Sequence, residues 1–242
     1  MSGSSPSPVI APRVPGGVGT PWIVARDLQQ RGARGTVFGP LSCDIRADVL
    51  MIVGARGAGS TSLLLTLAGR MRVQLGELEV LGLDARAHAR AIRRASGIAG
   101  FTGIDDLVET VTVADMLHER RRWAGPWYRP SGRSDRAAAE QLLAPVLSGE
   151  LMPDLRTDVR DLPEEQAFLL RVGLALLEHP RLLVVDDLDH VHHPDARRRV
   201  LSRLAALPAH GVRVAVATTD PRDPQLVPDL PHQVITLTKD GH

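Results

Sequence analysis

The strongest structural signal in this chain is the stretch DVLMIVGARGAGSTS, which spans residues 48–62. Its first part, Asp48–Val53, is largely apolar and β-prone, and Thr61–Met71 has the composition of a helix. The glycines between these two segments mark a turn. We therefore predict a strand, a glycine-rich loop and a helix, in that order.

The glycine spacing that follows Asp48–Val53 is that of a phosphate-binding loop. Glycines allow backbone amides to approach a phosphate closely, and the N-terminus of the following helix adds a favourable dipole. Thr61 lies where such loops carry the hydroxyl that ligates magnesium. The alternative is an ordinary glycine-rich turn between a strand and a helix. The candidate binding residues are Gly54, Ala55, Arg56, Gly57, Ala58, Gly59, Ser60, Thr61 and Ser62.

The loop lacks the lysine that should precede the magnesium-binding hydroxyl. Ser60 occupies that position, and the only lysine of the chain is Lys239. Arg56 lies inside the loop, but its position predicts that its side chain points elsewhere. Because a charge-assisted hydrogen bond contributes about 1.5–3 kcal/mol, we expect phosphate binding to be roughly 10- to 150-fold weaker than with the lysine.

Strand-forming and helix-forming segments alternate along the second half of the chain. Arg181–Val185, Val212–Thr218 and Gln233–Thr238 predict strands, and the first reads as a strand buried on both faces. Glu164–Leu177 and Asp195–Leu207 predict helices. Such alternation is typical of a parallel sheet with helices on both sides.

The N-terminal segment differs in composition from the rest of the chain. Residues 1–20 are rich in Ser, Pro and Gly and predict a disordered arm. We expect one ordered domain over residues 21–242, beginning with a short strand at Trp22–Arg26.

The middle of the chain predicts a helical subdomain, over about residues 104–178, inserted in the α/β core. Residues 104–161 lack β-forming runs, and helices are expected at Val113–Arg122 and Ser134–Leu147.

Composition excludes several classes of protein. The hydrophobic content of 43% is too high for a disordered chain, and the longest apolar runs are far shorter than the roughly 18 residues that span a bilayer. The single cysteine, Cys43, forms neither an internal disulfide nor a cysteine-only zinc site. The chain has 29 basic and 28 acidic residues, so no global charge favours nucleic acid or membrane. We expect a reducing, cytoplasmic setting.

Over about Trp22–Gly241 the chain resembles the nucleotide-binding domain of ATP-binding cassette (ABC) transporters. The apolar strand that ends at Asp187 matches the family's strand before its Asp-Glu pair. Further matching segments are QLGELEVLG, GIAGFTGIDDLVETVTV, GVRVAVATTD and HQVITLTKDG. The resemblance implies a P-loop NTPase-type fold, with a mostly parallel sheet flanked by helices, an inserted helical subdomain and an N-terminal β region. The family's signature Leu-Ser-Gly-Gly-Gln falls on Leu162, Pro163, Glu164, Glu165 and Gln166.

The resemblance implies ATP and Mg²⁺ as cofactors and assigns roles to several residues. Asp186 would bind Mg²⁺ through water, together with Thr61. Asp187 stands at the general base but is one methylene shorter than glutamate. Gly103, or Thr102 if the loop shifts by one residue, replaces the glutamine that senses magnesium and the attacking water. Thr219 stands at the position of the family's switch histidine.

The departures from the family motifs predict weak ATP binding with slow or absent hydrolysis, because phosphoryl transfer depends on positioning and on charge stabilisation. At the signature, Glu164 and Glu165 would repel a phosphate, and Pro163 removes an amide. We expect a cytoplasmic subunit, peripheral to the membrane, that acts with a membrane-spanning subunit and a second nucleotide-binding domain, and not with nucleic acid. The alternatives are an active transport ATPase in which Arg56 and Asp187 compensate, a scaffold without nucleotide, and a soluble non-transport ABC protein.

Three other features allow a functional or a plain structural interpretation. His190 and His192 lie among carboxylates and suggest either zinc or an exposed polar loop. Arg120–Arg122 and Arg197–Arg199 suggest nucleic-acid contact, a solvated face, or contact with lipid headgroups or a membrane partner. The aromatic residues of the middle segment suggest either a partner contact or local packing, and they are Trp123, Trp127 and Tyr128.

Overall fold

The computed structural model describes residues 10–11, 19–33, 35–124 and 136–238, and its strands form two sheets. The larger sheet has the order β1-β10-β4-β9-β8-β7, and the smaller one the order β3-β2-β5-β6. The strands are β1 (Ile10–Ala11), β2 (Ile23–Gly32), β3 (Gly35–Ile45), β4 (Val49–Gly54), β5 (Leu75–Val80), β6 (Leu83–Asp84), β7 (Ser96–Ala99), β8 (Leu182–Val185), β9 (Arg213–Thr218) and β10 (Gln233–Leu237).

Six α-helices and five short 3₁₀ turns complete the described structure. The helices are α1 (Ser60–Leu67), α2 (Ala89–Ala95), α3 (Val113–Ala124), α4 (Arg136–Leu143), α5 (Glu164–Leu176) and α6 (Pro194–Ala206). The 3₁₀ turns are Gly149–Leu151, Val159–Asp161, Leu188–His190, Leu207–His210 and Asp223–Leu226.

The larger sheet is parallel except where β1 pairs with β10. The smaller sheet is antiparallel throughout and forms the N-terminal β region. The fold class predicted from the sequence, a mostly parallel sheet flanked by helices with an N-terminal β region, is therefore confirmed.

Alternate residues of β8 enter two separate hydrophobic cores. Leu183 and Val185 pack with the helices α3 to α6, whereas Leu182 and Val184 pack with α1 and the smaller sheet. All four residues are fully buried. This explains the continuous apolar run, because a parallel strand that is covered on both faces has no solvated side.

Several elements differ in length from the prediction. Strand β2 continues six residues beyond Arg26, and bulges between Ala25 and Leu28 break the alternation that would have extended the predicted strand. Helix α1 ends at Leu67 instead of Met71. Gly69 follows it at φ +64°, and the Arg70 amide donates to the Leu65 carbonyl, which closes the helix as a left-handed cap does.

Between β7 and α5 the described residues contain helices and turns but no named strand, as expected for the middle segment. Helix α4 ends at Leu143 rather than Leu147, two residues before Pro145, which disfavours helix in the residue before it. Residues 1–9, 12–18, 34, 125–135 and 239–242 lie outside the description. They include Trp127, Tyr128 and Lys239. The side chain of Trp123 is also outside it.

No helix of the described part of the chain combines the length and the hydrophobicity needed to cross a membrane.

The buried strand β8 provides a test of this packing. Leu183→Ala should lower the free energy of unfolding by about 2–5 kcal/mol, because it leaves a cavity in the core. Leu75→Ala, the same change at a residue that is 39% exposed, is the control and should cost much less. Urea unfolding of both variants measures the difference. Equal losses would contradict the placement of Leu183 in the core.

Candidate functional site

A cavity of about 430 Å³ lies at the carboxyl ends of the parallel strands. The ends of β4 and β9 and the segments that follow β7 and β8 line it. In open α/β sheets this edge is where ligands bind. The predicted site residues that line the cavity are Gly54, Ala55, Arg56, Gly57, Gly59, Ser60, Thr61, Ser62, Asp186, Asp187 and Thr219.

The loop between β4 and α1 leaves room for close approach to its backbone. Gly59 has φ +91° and is the N-cap of α1. A Cβ at Gly59 would collide with the carbonyl oxygen of Val37. The first amides of a helix have no acceptor within the helix, so the amides that open α1 are available to an anion in the cavity.

Ala58 is the one predicted loop residue that does not line the cavity. Its side chain is 1% exposed and belongs to the core beneath the loop. Its amide donates to the Ala55 carbonyl at 2.9 Å, which closes the turn. Ala58 therefore supports the loop by packing into the core, and its side chain does not line the cavity.

Arg56 lines the cavity, whereas the sequence predicted that its side chain would point elsewhere. Arg56 is exposed, and none of the hydrogen bonds or ion pairs between described residues involves its guanidinium. It is the only cationic residue among those that line this cavity in the described part of the chain.

The two residues after the loop glycines differ in their partners. Ser60 Oγ is buried and has no hydrogen-bond partner among the described residues. The Thr61 side chain is hydrogen-bonded to Asp186. The pair predicted to hold magnesium, Thr61 and Asp186, is thus brought together from α1 and the end of β8.

Asp186 carries a carboxyl group in an unfavourable environment for negative charge. Burial raises its pKa above the ordinary value, the charges of Asp187 and Asp189 add to the rise, and the hydrogen bond from Thr61 opposes it. A bound cation would relieve this burial of negative charge.

Asp187 is held in place from two sides. The Thr102 hydroxyl donates to its Oδ2 at 3.1 Å, and His190 Nδ1 lies 2.8 Å from the same oxygen. Its backbone has φ +56°, a left-handed conformation that is uncommon for residues other than glycine. Such conformations cluster at functional sites.

The structure brings Thr102, and not Gly103, into the cavity. Gly103 has φ +79° and its amide donates to Asp106 Oδ2 at 2.7 Å, so it belongs to a turn that leads away from the cavity. Of the two positions considered for the family's glutamine, Gly103 and Thr102, only Thr102 lines the cavity.

The last predicted position, Thr219, lines the cavity beside Thr218 at the end of β9. Its amide donates weakly to Asp189 Oδ1 at 3.4 Å. This contact joins the segments that follow β8 and β9.

Arg197, on α6, is the main contact between these two segments, and the sequence did not identify it. Its Nε donates to the Val191 carbonyl at 3.0 Å, and its other nitrogens lie 3.1 Å from Asp223 and 3.5 Å from Asp189. Only 12% of its side chain is exposed. Arg197 was expected on a solvated face within Arg197–Arg199. Of these three arginines, Arg198 is the exposed one that makes no hydrogen bond or ion pair with a described residue.

Asp223 depends on this arginine because its side chain is only 1% exposed. Burial raises the pKa of Asp223, while a hydrogen bond from Thr218 and the charge of Arg197 oppose the rise. The buried carboxylate is thus tolerated because a cation and a hydroxyl satisfy it.

The signature-like residues Leu162–Gln166 do not line the cavity. They lie at the start of α5. Glu164 and Glu165 are in its first turn, where their negative charges interact favourably with the helix dipole. The structure places a donor against each carboxylate, which the sequence did not predict.

Glu164 accepts a hydrogen bond from the His192 amide at 3.0 Å, and its other oxygen lies 3.0 Å from His192 Nδ1. These contacts hold the pKa of Glu164 below its ordinary value. Glu165 receives two hydrogen bonds from Arg199, at 2.8 and 2.9 Å. Both carboxylates are therefore compensated within this chain.

The described residues include no group of three or more His, Cys, Asp or Glu side chains that is arranged to hold a metal ion. His190 and His192 therefore belong to no such group among the described residues. The two histidines are exposed in a polar loop. Leu188 and Val191 of the same loop are fully buried and attach it to the core.

Arg197 provides a test of the contact between the two segments. Arg197→Ala should lower the free energy of unfolding by about 3–5 kcal/mol, because it leaves the buried Asp223 carboxylate without its cation. The exposed neighbour in Arg198→Ala is the matched control and should change it little. Thermal or urea unfolding measures both, and similar curves for the two variants would contradict the assignment.

No protein-family model matches this sequence. Nod factor export ATP-binding protein I of Neorhizobium galegae is 28% identical over 186 residues, which cover 76% of this chain and 50% of that protein. Ribose import ATP-binding protein RbsA of Cereibacter sphaeroides is 30% identical over 163 residues, which cover 66% of this chain and 29% of that protein. This chain thus spans about half or less of the length of these curated relatives.

Solved structures resemble this one over most of its length. The dimeric structure of MJ0796, a bacterial ABC transporter cassette, matches with a TM-score of 0.66 and 16% identity, and it covers 89% of this chain and 94% of its own. A putative metal-chelate type ABC transporter in an inward-facing conformation matches with a TM-score of 0.68 and 19% identity, and it covers 91% and 81%. At such identities the likeness establishes the fold alone.

Proposed function

Since this chain is a relative of ABC transporter ATP-binding proteins and has the fold of an ABC cassette, we propose that it is the ATP-binding subunit of a transporter. In this proposal it binds Mg-ATP weakly and turns it over slowly or not at all. The observation that carries the proposal is the cavity whose glycine loop follows β4 and whose Thr61 side chain is hydrogen-bonded to Asp186.

The residues present fit a nucleotide with its cation. The backbone of residues 54–62 would hold the phosphates, because Gly59 excludes a Cβ and the first amides of α1 are free of helical acceptors. Thr61 and Asp186 would hold Mg²⁺, which prefers oxygen ligands. When bound, the ion neutralises phosphate charge. The buried and unpartnered Ser60 Oγ marks a polar group for which a ligand would supply a partner.

Weak binding follows from the charge of the loop. Ser60 replaces the lysine, and Arg56 is the only cationic residue among those described that line the cavity. The loss of a charge-assisted contact corresponds to roughly 10- to 150-fold in affinity.

Slow hydrolysis follows from the groups that face the cavity. Among the described residues that line it there is no Glu, Gln, His or Lys. Thr102 and Thr219 stand where the family positions the attacking water and senses the phosphate, and neither hydroxyl carries charge. Phosphoryl transfer therefore lacks most of its charge stabilisation here.

A second candidate function, an active transport ATPase, draws support from Asp187. The Thr102 hydroxyl and the His190 ring fix this carboxylate at the cavity, which is how a general base is oriented. In that case Asp187 would accept the proton of the attacking water, and Arg56 would supply the missing positive charge.

A groove beside the cavity is the proposed contact with a membrane-spanning partner. It has a volume of about 240 Å³ and is lined in part by Leu107, Met116 and Arg171. Ile104 and Val108, also in its lining, are exposed by 58% and 47%, and together with Asp106 and Arg120 they give the groove both apolar and charged groups. Through this partner the chain would lie at the cytoplasmic face of the membrane, paired with a second nucleotide-binding domain.

The loop assignment predicts a gain of affinity on restoring the lysine. Ser60→Lys should strengthen Mg-ATP binding by roughly 10- to 150-fold, measured by isothermal titration calorimetry of the purified chain. Ser202→Lys, the same change at an exposed position of α6, is the control. An affinity that is unchanged in Ser60→Lys would mean that residues 54–62 do not hold the phosphates. A wild-type chain that gives no heat at millimolar Mg-ATP would favour the scaffold alternative.

Asp187→Asn separates the weak binder from the active enzyme. Asparagine tolerates the left-handed backbone of this position, so the fold should persist. If the chain is an active ATPase, phosphate release by the chain assembled with its partners should fall at least about 100-fold. A basal rate that Asp187→Asn leaves unchanged would rule out Asp187 as the base.

A further inference from the structure

We propose that a divalent cation, and not a side chain of the loop, supplies the positive charge that holds the phosphates, so that this chain binds the cation–nucleotide complex and rejects free nucleotide. This inference rests on the proposed function, and it names the charge state of the ligand that the site selects. It follows from the charges that face the cavity.

Acidic side chains outnumber basic ones around the cavity. Asp186, Asp187 and Asp189 line it, and Arg56 is the only cationic residue that does so in the described part of the chain. These four groups have a formal net charge of −2. A free triphosphate is itself a polyanion, and like charges repel at these distances.

The charges behind the lining do not reverse this balance. Arg197 lies 3.5 Å from Asp189, but it also pairs with the buried Asp223 and lies 4.0 Å from Asp220. Arg222 is ion-paired with Asp220 at 2.8 Å. The nearby cations are therefore already shared among carboxylates of their own.

The two carboxylates that follow β8 have no arginine or lysine partner among the described residues. Asp186 makes no ion pair there, and the one ion-pair contact of Asp187 is with His190. His190 approaches Asp187 but is 63% exposed at its own side chain and does not line the cavity. Asp186 and Asp187 thus lack a dedicated cation, and the loop amides offer only partial positive charge.

Arg56 is the competing source of positive charge. It is exposed and has no partner among the described residues. To hold a phosphate it would have to immobilise a long, free side chain, which costs conformational entropy. One arginine against three carboxylates leaves the cavity anionic even when Arg56 turns inward. If Arg56 did supply the charge, ATP would bind without a cation.

The experiment compares ATP binding by the purified chain in excess MgCl₂ and in excess EDTA, by isothermal titration calorimetry. We expect the affinity to be at least about tenfold higher with Mg²⁺, the lower limit for one charge-assisted contact. In Arg56→Gln the ratio between the two conditions should stay at least as large. Mg²⁺ alone, without nucleotide, should raise the melting temperature of the wild-type chain, because it binds the folded state.

Two variants show whether the cation acts at the predicted residues. Asp186→Asn should abolish the stabilisation by Mg²⁺ alone and bring the ratio of affinities close to one. Asp229→Asn, an exposed carboxylate outside the cavity lining, is the matched control and should retain both effects. Ser60→Lys should bind ATP in EDTA, because it carries its own cation.

The outcomes separate this inference from the proposed function. Equal affinities in MgCl₂ and EDTA for the wild-type chain overturn the inference and leave ATP binding intact. The inference is also overturned if ATP binding persists in EDTA but is abolished by Arg56→Gln. If neither the wild-type chain nor Ser60→Lys binds ATP in MgCl₂, the proposed function fails, and the inference fails with it.

Discussion

The candidate site depends on one backbone constraint, which is that a fully buried strand passes directly into a loop with no space for a side chain at Gly59. All six residues of β4 are buried between β9 and β10, so the start of the loop is fixed by the sheet. Gly59 then lies against the Val37 carbonyl, where a Cβ would collide. Because this contact sets where α1 begins, it also places Thr61 beside Asp186.

The sequence was sufficient to predict the parts of the molecule that follow from local chemistry. Strands β4 and β8 are continuous apolar runs because both of their faces are covered, and the glycines between β4 and α1 mark a turn that other residues adopt at a cost. The ABC resemblance also placed Asp186 and Asp187 at the end of a central strand. In an α/β fold, that position brings them to the ligand-binding edge of the sheet.

The parts that were not predicted depend on partners distant in sequence. Arg197 reads as one of three consecutive arginines, and nothing local distinguishes it from Arg198, yet tertiary packing buries it against Asp223. Glu165 reads as a repulsive carboxylate, but Arg199 of another helix compensates it. The cavity receives Thr102 and not Gly103 because a turn at Gly103 redirects the chain. Such pairings emerge only once the elements are packed.

The central claim is that the loop backbone holds a nucleotide although the charged side chains have been lost. Amide resonances of the ¹⁵N-labelled chain, followed by NMR during titration with Mg-ATP, report directly on that backbone. The account predicts the largest shifts at Gly57, Gly59 and Thr61, and little change at Glu164–Gln166, which lie outside the cavity lining. If the resonances of these loop amides do not change at saturating Mg-ATP, the account is contradicted.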